Sequence, residues 1–459
     1  MNIKRSIIIC GLLACHTGLV MAQNNFSHGF QRPLSDVIRN VEKRFGVKIK
    51  CGKDTVGKVL PYADFRIRPY SIEETLDNVC KYFDYNWSVQ GPKSYRIKAY
   101  DYTTRRESDG RKMLQWLSSQ YGDKASWELR RDSLRREARR LLQIDVYLDS
   151  LVKNGKVTLS KLRKYDGYTV QNLCIETLPG EHVFASIYSP AKYKQAPLIL
   201  CPNGHFPDGR YRIDQQQRLG TLARMGAICV DYDLYAWGES AIEHPTFVDA
   251  KGVKHDPHRT ARAHVMQALN GIVLLNWMIE NRGKNIDLAR IGVNGGSGGG
   301  TQSGLLASIE DRITAAAPVV SLASHFDGGC PCESGMPIQL AGGGTCNAEL
   351  LATFAPKPLL IVSDGGDWTS TVPTLEYPFM QRIWDFYGQK GVIRNVHLPN
   401  ESHDFGPSKR NATYDFFIEV FHLDRSKLDE SKVTIEPYDL LKCNIKPQFG
   451  IRIRKELVA

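Results

Sequence analysis

Beyond residue 22 the sequence has no run of about eighteen consecutive apolar residues, which excludes a chain that later crosses a membrane as a long apolar helix. Cysteine is sparse. There are eleven in 459 residues, nine of them after residue 22, and an odd number in so long a chain excludes a disulfide scaffold. The glycine-rich stretch at 290–304 has no lysine after its glycines, which excludes a phosphate-cradling P-loop. The most basic segment, ELRRDSLRREARRLL at 128–142, contains no aromatic residue for base stacking. It also interleaves Glu128, Asp132 and Glu137 among its arginines. Its Leu134, Ala138, Leu141 and Leu142 form an apolar stripe, so it reads as a solvated helix packed on a neighbouring domain, not as a nucleic-acid site.

What is present begins with a basic start, MNIKR, and an apolar run ending at Val20 and Ala22. This pattern predicts a signal peptide over 1–22 and an exported protein, periplasmic or secreted. Lipid anchoring at Cys15 is the lesser alternative. The net charge of +11 mildly favours acidic glycans as ligands.

Residues 27–99 read as a small α+β domain. Leu34, Val37, Ile38, Val41 and Phe45 recur at helical spacing, and Ser71 with Glu74 forms a capping box that opens a second helix. The stretches VKIKC, DFRIR, YNWSV and SYRIK alternate as strands do. Residues 100–164 are expected to be a helical lead-in. From 165 to 425, apolar runs such as PLILC, AICVDYD, RIGVNG, AAAPVV and PLLIVS alternate with helical stretches at 260–281 and 375–389. That order predicts an α/β fold with a mostly parallel sheet covered by helices. Residues 426–459 are left as a C-terminal appendage, with KVTIEPYDL a candidate edge strand.

Ser297 sits within RIGVNGGSGGGTQSG, between an apolar strand and the start of a helix. The match to G-x-S-x-G, Gly295 to Gly299, is that of a nucleophile elbow, a sharp strand-to-helix turn that lifts the serine oxygen clear of the sheet. Serine needs a base, and the base an orienting acid, expected in that order after later strands. The loop SDGGDWTS offers Asp364 and Asp367, of which Asp367 lies deeper in the loop and is preferred. His403, in ESHDF, is preferred as base over His397, which sits within a strand, and Asp404 is read as a solvated loop residue. The amide of Gly298, with one from Gly204 or His205 in PNGHFPDG, is expected to form the oxyanion hole. Glu333, Trp368 and Trp237 are substrate-pocket candidates. No cofactor or metal is expected. The HDPH run at 255–258 is read as capping the helix that follows. Cys330, Cys332 and Cys346 are read as part of a packed loop, with a disulfide through Cys346 the main alternative to it.

Two resemblances follow from these motifs. The order NGHFPDGR, YDLYAWGES, RIGVNGGSGGGTQ, GGCPCESGMP, APKPLLIVSDGGDWT and ESHDF resembles the acetyl xylan esterase-like family of the α/β-hydrolase superfamily. It implies a Ser297–His403–Asp367 esterase that removes acetyl groups from plant polysaccharide or oligosaccharide. The paired helices and short strands of 27–99 resemble the secretin/TonB short N-terminal (STN) domain, which implies a possible protein partner. A peptidase or uronic-acid esterase on the same scaffold, and a non-catalytic binding or signalling module, remain the alternatives.

Overall fold

The computed structural model describes residues 30–100, 106–151, 155–206, 208–250, 252–325, 333, 335 and 337–443. The expected signal peptide, Cys15, Cys330, Cys332 and the final sixteen residues lie outside them. The chain divides into two compact units, Met1–Tyr102 and Thr103–Ala459.

In the first unit, α1 (Leu34–Phe45) and α2 (Ile72–Phe83) bury one apolar face each. Their core holds Leu34, Val37, Val41, Leu76 and Val79 together with Ile49 and Ile97 from the strands. Ser71 caps α2 by accepting the N–H of Glu74 at 3.2 Å. The sheet joins β1 (Lys48–Cys51), β2 (Tyr85–Gly91) and β3 (Ser94–Ala99), with β3 central. The expected strand at DFRIR is instead a helical turn, Ala63–Arg66. Arg66 donates to the carbonyls of Pro61 and Asn78, at 3.0 and 2.9 Å, so tertiary hydrogen bonds override a five-residue alternation.

The second unit opens with α3 (Glu107–Ser118) and α4 (Lys124–Leu141). The basic stretch is bound into this unit. Arg130 makes a two-pronged pair with the buried Glu349, both contacts at 2.9 Å, while Leu134 and Ala138 are buried.

Its large sheet contains β4 (Tyr168–Leu178), β5 (Glu181–Pro190), β6 (Ala196–Pro202), β7 (Ile228–Tyr232), β8 (Ile286–Gly296), β9 (Ala315–Val319), β10 (Leu359–Asp364) and β11 (Ile393–Leu398). The spatial order is β11-β10-β9-β8-β6-β7-β5-β4, followed by Val157–Leu159. The six strands from β11 to β7 run parallel, and β5 and β4 are antiparallel to their neighbours. Alternate residues face opposite sides. Leu198, Leu200, Val230 and Val293 join one core, Ile199, Cys201, Cys229 and Val362 the other. Helices α5 (Ile213–Arg224), α6 (Ala261–Arg282), α7 (Gly298–Ile309), α8 (Glu376–Asp385) and α9 (Pro407–Phe421) complete the layers. The KVTIEPYDL segment forms turns and one helical turn, Tyr438–Leu441, not an edge strand. It is tied down where Glu436 accepts from Arg163 at 2.5 Å and Tyr165 at 2.6 Å.

Candidate active site

Ser297 occupies the junction between β8 and α7, with φ 58° and ψ −126°. A non-glycine residue in that region is strained and persists only where its surroundings enforce it. The enforcement comes from backbone packed too close for side chains. A Cβ on Gly299 would lie 2.1 Å from the carbonyl oxygen of Pro202, and one on Gly204 would lie 2.4 Å from that of Gly296. The loop after β6 is thereby pressed onto the elbow.

Parallel strands bring the other groups to the same edge. Asp367 follows β10 and His403 follows β11. His403 Nε2 lies 2.9 Å from Ser297 Oγ, and its Nδ1 lies 2.5 Å from Asp367 Oδ2. The other carboxylate oxygen of Asp367 accepts from both the backbone N–H and the hydroxyl of Thr369, each at 2.6 Å. Burial pushes this carboxyl up, but the hydrogen bonds from His403 and Thr369 outweigh it and hold Asp367 below the usual carboxylate range.

The rejected acid, Asp364, is otherwise engaged. It lies 3.2 Å from the buried Lys409 ammonium of α9. Lys409 also donates to the Ser402 carbonyl and to Asp404, both at 2.7 Å, so it clamps the loop that carries His403. Asp404, expected as a solvated loop residue, is exposed and is also a partner of that clamp. His397 lies within β11 and meets Ser363 Oγ at 2.9 Å, away from the serine.

The opposite wall comes from loops. Glu333 Oε1 lies 3.2 Å from Ser297 Oγ and 3.5 Å from His205 Nδ1. The serine hydroxyl has one hydrogen, so at any moment it donates either to His403 or to Glu333. His205 Nε2 meets His258 Nε2 at 2.6 Å, and His258 Nδ1 meets the Tyr235 carbonyl oxygen at 2.6 Å. A carbonyl only accepts, so His258 carries its proton on Nδ1. Burial, with His205 nearby, pushes His258 down to about 4, which leaves its Nε2 an acceptor. His205 must therefore donate from Nε2, and its Nδ1 faces Glu333. The HDPH run is thus part of the site. The residue at the cap position before α6 is Thr260, with no side-chain cap hydrogen bond.

These walls enclose a cleft of about 290 Å3. Trp368 lies against His403 with ring centroids 4.5 Å apart, and Trp237 packs on His205 and His258 at 5.5 and 5.3 Å. Phe206 stacks on His403 at 5.8 Å and carries the Arg212 guanidinium 4.0 Å from its ring centre. Arg259 also lines the cleft. Gly298 opens α7, where the first N–H groups have no intrahelical acceptor, and the Gly204–His205 segment lies beside it. Among the described residues, no cluster of three or more potential metal ligands occurs. Cys346 is a buried free thiol. Among the described residues, no helix is long and apolar enough to cross a membrane.

A mixed sheet in this order, covered by helices, with a strained serine at a strand-to-helix turn, makes this an esterase of the α/β-hydrolase type. No family model matches the chain, and no curated protein matches it. Among solved structures it is similar to Methylesterase BT1017, at 57% identity over 94% of this chain and 94% of that one, with a TM-score of 0.79. It is more distantly similar to the acetyl xylan esterase from Paenibacillus sp. R4 (14% identity, 67% and 98% of the chains, TM-score 0.43). A glucuronoyl esterase from Solibacter usitatus stands at a comparable distance (15%, 64% and 93%, 0.44). The chain belongs to the family of Methylesterase BT1017 and is a carboxylic ester hydrolase.

Proposed function

We propose that this protein is an exported carbohydrate esterase that hydrolyses methyl esters of uronic-acid sugars through Ser297, His403 and Asp367. The observation that carries the reading is the continuous relay from Asp367 to His403 to Ser297 in a chain 57% identical to a methylesterase. Ser297 Oγ attacks the ester carbonyl as His403 Nε2 takes its proton, and Asp367 steadies the imidazolium. The N–H of Gly298, with one from Gly204 or His205, meets the negative charge that develops on the carbonyl oxygen. His403 returns the proton to the departing methanol. It then activates water, which releases the sugar carboxylate and restores the serine.

Trp237 and Trp368 supply flat faces on which a sugar ring can rest. Arg259 and Arg212 suit a polymer whose neighbouring residues are already carboxylates. Export is supported by the basic start and apolar run of residues 1–22. The two helices packed on a three-stranded sheet support the STN-like reading of the first unit.

The test is methanol release from a methyl-esterified polyuronate, with acetate release from acetylated xylan measured in parallel. Methanol from the wild type and none from Ser297→Ala is the expected result. Acetate as the only product would replace this reading with the acetyl ester expected from the motifs. Equal activity in both proteins would remove Ser297 from the mechanism.

A further inference from the structure

The first unit has fourteen Lys and Arg against eight Asp and Glu over residues 30–100, and they are not evenly mixed. Strands β1, β2 and β3 carry four basic residues and no acidic one. The basic residues share a face. The register sets Lys50 directly opposite Arg96, Lys48 opposite Ser94, Arg96 opposite Ser88 and Lys98 opposite Asn86. Side chains two residues apart on a strand point to the same side. Lys48, Lys50, Arg96 and Lys98 therefore lie on one side, all exposed, with only Ser and Asn between them. The other side is the buried one, where Ile49 and Ile97 meet the helices.

Two features set this face apart from an ordinary solvated surface. Soluble proteins intersperse charges of both signs, and like charges directly opposite across strands destabilise a sheet. Here Lys50 and Arg96 oppose each other in register, with neighbours about 5 Å across and about 7 Å along the strands. Those spacings are inside the Debye length of about 8 Å at physiological salt, so the four cations repel one another. None of them makes an ion pair or side-chain hydrogen bond among the described residues, whereas Arg39 on α1 pairs with Asp36 at 2.5 Å. The face also presents no aromatic ring, since Trp87 and Tyr95 alternate to the other side. It offers charge without a stacking platform for bases.

We propose that this sheet face is a binding site for a polyanionic polysaccharide, the de-esterified polyuronate that the active site generates. The identity of the polymer rests on the proposed function. Each ester hydrolysed turns a neutral methyl ester into a carboxylate, so the product gains the charge that the face lacks. Because both units belong to one chain, holding polymer at the first raises the local concentration of remaining esters for the second.

The test uses full-length Ser297→Ala protein, which leaves the polymer unaltered, in affinity electrophoresis through gels holding de-esterified or fully methyl-esterified polyuronate. The de-esterified gel should retard it, the esterified gel should not, and the retardation should fade as salt rises. Adding Lys48→Glu, Lys50→Glu, Arg96→Glu and Lys98→Glu should weaken retention about tenfold or more, and the milder Lys50→Gln, Arg96→Gln pair by a smaller factor. Unchanged retention of the charge-reversed protein relative to its own mobility in a polymer-free gel, equal retention by both polymers, or capture of an acidic protein with no affinity for polyuronate would overturn the proposal. The four reversals in an otherwise wild-type chain should leave hydrolysis of a small soluble methyl ester unchanged. Failure of that hydrolysis in the wild type counts against the proposed function. Intact hydrolysis without polymer retention counts against this site alone.

Discussion

The two walls of the cleft are built differently. Ser297, Asp367 and His403 stand at the ends of β8, β10 and β11, where parallel strands deliver loops to one edge. Their alignment follows from the sheet and is tightened by Gly204, Gly299 and the Lys409 clamp. The facing wall combines His205, in the loop that follows β6, with His258 and Glu333. It is held by a chain of hydrogen bonds that ends on the Tyr235 carbonyl. A wall set by strands should carry the chemistry and tolerate no change. A wall set by mutual hydrogen bonds should tune the same chemistry by smaller factors.

The largest effects should come from the strand-end wall. Ser297→Ala should lower kcat by about five or six powers of ten with little change in KM. Asp367→Asn, which keeps the shape but reverses the hydrogen bond to His403 Nδ1, should cost about four powers of ten. Measurement of kcat for both variants on a soluble methyl ester checks this. A loss below about tenfold in Asp367→Asn would shift the acid role elsewhere, with Asp364 the next carboxylate to test.

Gly204→Ala addresses the seam between the walls. Its new Cβ would press within 2.4 Å of the Gly296 carbonyl oxygen and drive the loop off the elbow. If that loop gives the second oxyanion donor, kcat should fall about a hundredfold to a thousandfold while the protein stays folded. A fully active Gly204→Ala enzyme would place the donor elsewhere.

Glu333→Gln keeps an acceptor beside Ser297 Oγ but removes its negative charge. The product of the proposed reaction is a carboxylate, which the Glu333 carboxylate repels. In the variant, product inhibition should strengthen about tenfold while kcat changes by less than that. Unchanged inhibition would leave Glu333 without an electrostatic part in product release.

The same contrast explains what the sequence discloses. Strand runs such as PLLIVS and RIGVNG announce themselves by apolar continuity, and each catalytic candidate follows one of them at a loop distance. The meeting of Ser297, Asp367 and His403 at one edge of the sheet was therefore legible, as was its parallel core. His258 was not. Within HDPH it carries no periodicity, and its partner His205 is 53 residues away. Lys409 was equally hidden, since a lysine in an ordinary helical stretch gives no sign that it is fully buried against the loop carrying His403. The error at DFRIR has the same root. Five alternating residues fit a strand as well as a turn, and the hydrogen bonds of Arg66 to carbonyls five and twelve residues away, outside the alternating stretch itself, decide between them.

The smallest predicted effect separates the two walls by pH. His258 is neutral in the folded protein, pushed from 6.5 down to about 4 by burial. Above about pH 6.5 it is neutral both folded and unfolded, and it adds no pH dependence. Between 6.5 and 4 the unfolded chain binds a proton that the folded chain refuses, so stability falls as pH falls, by up to about 3 kcal/mol from this residue. His258→Gln removes that contribution, at a cost near neutrality of about 1 kcal/mol for the hydrogen bond to Tyr235. Urea unfolding at pH 7.5 and pH 4.5 should show the variant less stable than wild type at the higher value and losing less between the two. The slope will not vanish, because His244, also buried and pushed down to about 4, remains. Identical slopes in both proteins would mean that His258 takes up its proton at the same pH folded and unfolded, and a His258 kept neutral by burial would be ruled out.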